Sequence, residues 1–232
     1  MGKVTGPRHG SMGYWPRKRA KRQYAKINAW PESKDSKLLS FAGYKVGMTH
    51  AILTDNRKNS TTKGDEINFP VTIIECPPIK IAGINLYVKD AYGSKIKSCV
   101  LGKCDKELGK KICLPKKVDE KKIEDLKTEN YSDVRVLVYT QPKLTGIGQK
   151  KPELFEVAIG GTSVEEKLNY AKGILGKEVL VSDVFSEGDQ LDTHVITIGK
   201  GFQGPVKRFG VKIRGRKSEK TKRGPGSVGP WC

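Results

Sequence analysis

Charge in this chain is gathered at its two ends, and that limits where a core can form. Residues 1–30 carry eight Lys or Arg and no acid, and residues 200–232 carry ten against the single Glu219. The stretch between them, 31–199, carries 26 against 24. A segment with one sign of charge and few apolar side chains cannot offset its ordering entropy, roughly 1–2 kcal/mol per residue for the backbone alone. The net charge of +19 therefore belongs to extremities suited to a polyanion, flanking a nearly neutral body that folds.

The body reads as mainly β. "LLSFAGYKVGMTHAILTD" (38–55) mixes apolar and small residues with Gly43 and Gly47, which predicts strands around a tight bend. "FPVTIIEC" (69–76) and "IKIAGINLYV" (79–88) predict two more strands, separated by Pro77 and Pro78. In "DVRVLVYT" (133–140), Val134, Val136 and Val138 share one face and Arg135, Leu137 and Tyr139 the other. "LFEVAIGG" (154–161), "KEVLVSDVF" (177–185) and "DTHVITIGKG" (192–201) repeat the pattern at short intervals, as barrels and sandwiches do. Ser163 followed by Glu166 forms a capping box, and Val164, Leu168, Ala171 and Leu175 then lie on one helical face that Gly176 ends. The stretch 116–130 predicts a peripheral, charged helix with little to bury.

The familiar signatures of catalysis are missing. "GKGFQG" (199–204) matches a dinucleotide fingerprint in letters, but Pro205, Lys207, Arg208 and Gly210 follow instead of an apolar helical period. His9, His50 and His194 stand far apart, with His194 read as an ordinary strand residue. The five cysteines are odd in number and lack a Cys-x-x-Cys knuckle, so we expect reduced thiols, no metal and no cofactor. There is no long apolar run and no signal segment, which predicts a soluble cytosolic protein with no membrane partner.

The ends carry more than charge. In "GSMGYWPRKRAKRQY" (10–24) the aromatic rings of Tyr14, Trp15 and Tyr24 are interleaved with cations, and Trp30 follows; cations neutralise phosphates while rings stack on unpaired bases or pack on protein. Candidate RNA-binding residues are Arg8, His9, Tyr14, Trp15, Arg17, Lys18, Arg19, Lys21 and Arg22 in the N-terminal arm. Near the other end they are Lys200, Lys207, Arg208, Lys212, Arg214, Arg216, Lys217, Lys220, Lys222 and Arg223. Two rival classes are an RNA-modifying or nucleotide-dependent enzyme, favoured only by "GKGFQG", and a DNA-compacting protein, which would bind duplex DNA as well as it binds RNA.

"GPRHGSMGYWPRKRA" (6–20), "AGYKVGMTH" (42–50), "VRVLVYTQP" (134–142), "QKKPELFEVAIGG" (149–161) and "GKGFQGPVKRFGVK" (199–212) occur in the order of one family's landmarks. Through them the chain resembles the third protein of the large ribosomal subunit, in its archaeal and eukaryotic branch. The resemblance implies no enzyme activity. It implies a translation-protein-type six-stranded β-barrel with an α/β insertion, a basic arm and a long RNA-binding finger. The boundaries expected are 1–38 for the arm, 39–204 for the body with the insertion at about 90–177, and 205–232 for the finger. By the same likeness Gly199, Gly201 and Gly204 permit tight turns or close RNA approach, and Trp231 sits at the finger tip near the peptidyl transferase centre. Large-subunit ribosomal RNA, the fourteenth large-subunit protein and a small zinc-ribbon protein are the partners it implies, in the cytoplasm. Family members continue past this tryptophan with strands that complete the barrel, and an unpaired barrel edge invites aggregation. We therefore expect the sequence to be incomplete or another chain to supply the rest.

Overall fold

A computed structural model describes residues 18–116, 118, 123, 126, 131–218 and 220–230. Its residues fall into two units: Lys26–Asp192, and a second that takes in the chain up to Ala25 and from Thr193 onward. Every buried residue among those described lies in the first unit.

That unit is mainly β. Strands β1 (Tyr44–Thr54) and β2 (Glu66–Glu75) form an antiparallel two-stranded ribbon. The predicted bend at Gly43 and Gly47 is instead a register irregularity between Lys45 and Gly47 within one continuous strand. Strands β3 (Ile79–Asp90), β4 (Gly93–Leu101), β5 (Asp133–Tyr139), β6 (Leu154–Ala158) and β7 (Glu178–Val179) make a five-stranded antiparallel sheet. β5 pairs along one edge of β3, and the other edge is shared by β7 at its start and β4 beyond. Among the described residues these strands form a ribbon and an open sheet, with no closed six-stranded barrel.

β3 is central because it is buried on both faces, without a break from Ile81 to Tyr87. Ile79, Ile81, Ile84 and Leu86 join Val134, Val136 and Val138 of β5 in the larger core, covered by helix α1 (Val164–Ile174) through Leu168 and Ala171. On the opposite face Ala82 and Tyr139 pack against Leu108, which lies in the 3-10 helix Lys106–Lys110. A Cβ at Gly83 would lie 2.5 Å from the Val100 carbonyl oxygen, so only glycine lets β4 close on β3 there. The capping box at α1 forms as read. The Ser163 hydroxyl oxygen accepts from the Glu166 N–H at 3.2 Å while the Glu166 carboxylate accepts from the Ser163 N–H at 3.4 Å. Gly176 follows in the left-handed region, at φ 73°.

Two other strand expectations need correction, and one strand was not expected. Only Glu178–Val179 of "KEVLVSDVF" pairs, because the Asp183 carboxylate accepts the Leu180 N–H at 2.9 Å and folds Val181–Asp183 into a 3-10 turn. No strand forms over 192–201, so His194 is not a strand residue; every residue there is exposed, and alternation without a neighbouring strand or an apolar cover makes no sheet. β4 went unread because "GSKIKSCVL" offers few apolar residues; its Lys95 and Lys97 suit an edge strand. The helix expected over 116–130 falls mostly outside the described residues, although Leu126 packs against the larger core.

Candidate nucleic-acid interface

Of the candidate RNA-binding residues, Lys18, Arg19, Lys21, Arg22, Lys200, Lys207, Arg208, Lys212, Arg214, Arg216, Lys217, Lys220, Lys222 and Arg223 are described, and all are exposed. None forms an ion pair with a described acid. Arg8, His9, Tyr14, Trp15, Arg17 and Trp231 lie outside the described residues. The two stretches of sequence that bear these cations belong to the same unit. It carries 17 Lys or Arg against Glu219, so its net charge is +16 and that of Lys26–Asp192 only +3.

Among its described residues, none of them buried, local hydrogen bonds and glycines shape this unit. Helix α2 (Pro205–Phe209) follows "GKGFQG", so a short helix does stand where none was expected. Pro205 begins it, where a missing N–H costs nothing, and Gly210 ends it in the left-handed region at φ 64° and ψ 26°. The fingerprint still lacks a preceding strand, because residues 192–200 form none. Beyond α2 the Arg214 N–H donates to the Lys222 carbonyl at 3.1 Å and the Ser218 N–H to the Gly215 carbonyl at 3.1 Å. This folds 214–222 into a compact loop studded with Arg216, Lys217 and Lys220. The Arg22 guanidinium lies 5.5 Å from the Tyr24 ring centroid and that of Arg208 lies 5.1 Å from the Phe209 ring. Phe202, Val195 and Ile198 are fully or largely exposed as well. A cationic surface with exposed rings can neutralise phosphates and stack on bases at once.

Trp30 resolves the choice between stacking on bases and packing on protein, since it packs against the body core with its indole N–H buried. The loop between β1 and β2 holds a buried polar cluster. Asp55, buried at 3% exposure, accepts from the Arg57 N–H and guanidinium, the Ser60 hydroxyl and the Thr62 hydroxyl. The Arg57 side chain, with these hydroxyls, holds its carboxyl far below the usual carboxylate range.

Among the described residues no three His, Cys, Asp or Glu side chains group to hold a metal ion. Burial raises the thiols of Cys76 and Cys104, which favours their protonated form. Burial also pushes the Tyr139 hydroxyl up to about 12. No described helix is long and apolar enough to cross a membrane. The body also exposes Lys106 and Lys110 of "DKELGKK" (105–111) and Lys150 and Lys151 of "GQKK" (148–151), whose charge the acids elsewhere in 31–199 cancel in the total.

Comparison with known proteins supplies what geometry alone does not. Residues 1–232 match the family model described as Ribosomal protein L3. The large ribosomal subunit protein uL3 of Methanosphaera stadtmanae is 49% identical over 232 residues, covering 97% of this chain and 69% of its own length. The uL3 of Methanocaldococcus jannaschii is 47% identical, with 98% of this chain and 70% of its own length covered. That of Methanococcus vannielii is 48% identical, with 99% and 70% covered.

Proposed function

Because the chain belongs to the Ribosomal protein L3 family, we propose that it organises large-subunit ribosomal RNA through its two basic ends. It is a structural constituent of the large ribosomal subunit in the cytoplasm and not an enzyme. The observation that carries the proposal is the unit of net charge +16 whose described residues are nowhere buried. Such a segment lacks an interior of its own, and folded RNA supplies both the surface it packs on and the phosphates its cations meet. Lys and Arg displace condensed counterions and let RNA helices approach one another. Carboxylates are nearly absent there because each would repel a phosphate.

The finer parts of the reading follow the family. The arm and the finger from Pro205 thread into RNA, with Trp231 approaching the peptidyl transferase centre. The fourteenth large-subunit protein and a zinc-ribbon protein lie nearby. The β1–β2 ribbon is part of a translation-protein-type barrel. Supporting this, Leu53, Phe69 and Ile73 lie on one face of the ribbon and are each nearly half exposed, and a two-stranded ribbon needs further strands for stability.

Co-sedimentation tests the function. The protein should travel with large subunits through a high-salt gradient and bind ribosomal RNA with an affinity that falls steeply as salt rises. Equal affinity for duplex DNA, or an affinity indifferent to salt, refutes it.

A further inference from the structure

The body's small net charge hides a segregated one. Residues 103–116 and 142–153 carry eight lysines against Asp105, Glu107 and Glu153, a net of +5, so the rest of Lys26–Asp192 is net negative at −2. These two stretches are remote in sequence, and the fold puts them side by side around an open cleft of about 350 Å³ that Lys110, Lys143 and Lys150 line together with one acid, Glu107. All three acids are already engaged. Asp105 meets Lys80 at 2.6 Å, Glu107 meets Lys143 at 3.3 Å and Glu153 meets Lys111 at 2.6 Å. Lys103, Lys106, Lys110, Lys150 and Lys151 are exposed and without an acidic partner among the described residues.

The cleft is preformed. Leu108, fully buried, pins the Lys106–Lys110 helix to the sheet. The Leu144 N–H donates to the Gln141 carbonyl and the Thr145 hydroxyl to the Pro142 carbonyl at 2.8 Å, which holds the opposite wall. Nothing lies within 4 Å of the position a Cβ would take at Gly146 or Gly148, so a ligand can approach the main chain there. The cations are all lysines, which bind phosphates as hydrated point charges and impose none of the paired geometry of arginine.

We propose that this lysine-lined cleft is a second RNA site, carried on the rigid body, which takes a sugar-phosphate backbone without reading its sequence. It rests on the ribosomal reading above but not on the basic ends. Binding there loses little entropy, because the platform exists before the RNA arrives.

The test uses the full chain and large-subunit ribosomal RNA transcribed in vitro. Affinity is measured across a salt series for the wild type, for the variant K106A/K110A/K150A/K151A and for the same four positions changed to Arg. Each phosphate contact contributes about 0.7–0.9 to the salt slope, so the Ala variant should lose about three from it and one backbone footprint on the RNA. The Arg variant should keep both. An Ala variant with the wild-type slope overturns the proposal, even if it fails to enter subunits, since that outcome assigns the cleft to a protein neighbour. An Arg variant that also loses slope overturns it too, because the effect is then not one of charge. A wild type that binds no ribosomal RNA instead refutes the parent reading.

Discussion

Ile84 and Arg214 represent two ways of being ordered. Ile84 lies on the central strand with no exposed surface, among Val134, Val136 and the α1 side chains. Arg214 is exposed and is placed by one backbone hydrogen bond across a loop. The body excludes water from apolar side chains; the unit made of the chain's ends buries none of its described residues. Order in the first comes from its own sequence, and under the proposed function order in the second comes from RNA.

Four outcomes would sharpen that contrast or break it. The largest concerns the ends. Replacing Arg214, Arg216, Lys217, Lys220, Lys222 and Arg223 by Ala should lower affinity for ribosomal RNA by about three orders of magnitude at moderate salt. The thermal midpoint of the free protein should stay where it was, and a lowered midpoint would mean the loop supports the body. Next, Ile84→Ala should cost about 2–5 kcal/mol in denaturant unfolding, with the salt slope of RNA binding untouched.

Asp55→Asn should have a smaller effect and a pH signature. The Asp55 carboxyl is held below its unfolded value of about 4, so its stabilisation is present above that value and lost as pH falls toward the folded one. The stability gap between wild type and variant should be widest at neutral pH and narrow steadily below about pH 4. A gap constant from pH 7 to pH 3 would show that hydrogen-bond shape, and not charge, holds the loop. Smallest is Ser163→Ala, expected to cost about 1 kcal/mol by removing the cap of α1, again with RNA binding unchanged.

Legibility in the sequence followed the same division. β3 and β5 were readable because a largely apolar run and strict alternation have one structural meaning when both faces can be covered. The α1 cap was readable because its two hydrogen bonds span three residues and depend on nothing distant. "DTHVITIGKG" has the same alternation as a strand but nothing to pair with, and pairing is not a local property. The cations of the ends were evident as charge, and their exposure accords with that. Lys106, Lys110, Lys150 and Lys151 were passed over because Asp and Glu elsewhere in the body cancel them in any sum along the chain.

The sequence by itself determined that a core could form only between the charged ends, since no arrangement of Arg214 to Arg223 buries enough apolar surface to offset its ordering. It also determined the helix after Ser163, whose cap is built from near neighbours. Only the tertiary structure decided that Gly83 admits β4 beside β3, that Leu108 closes the second face of the sheet, and that lysines some forty residues apart share one cleft. Those depend on which segments meet, and contact between remote segments is set by cooperative packing of the whole sheet.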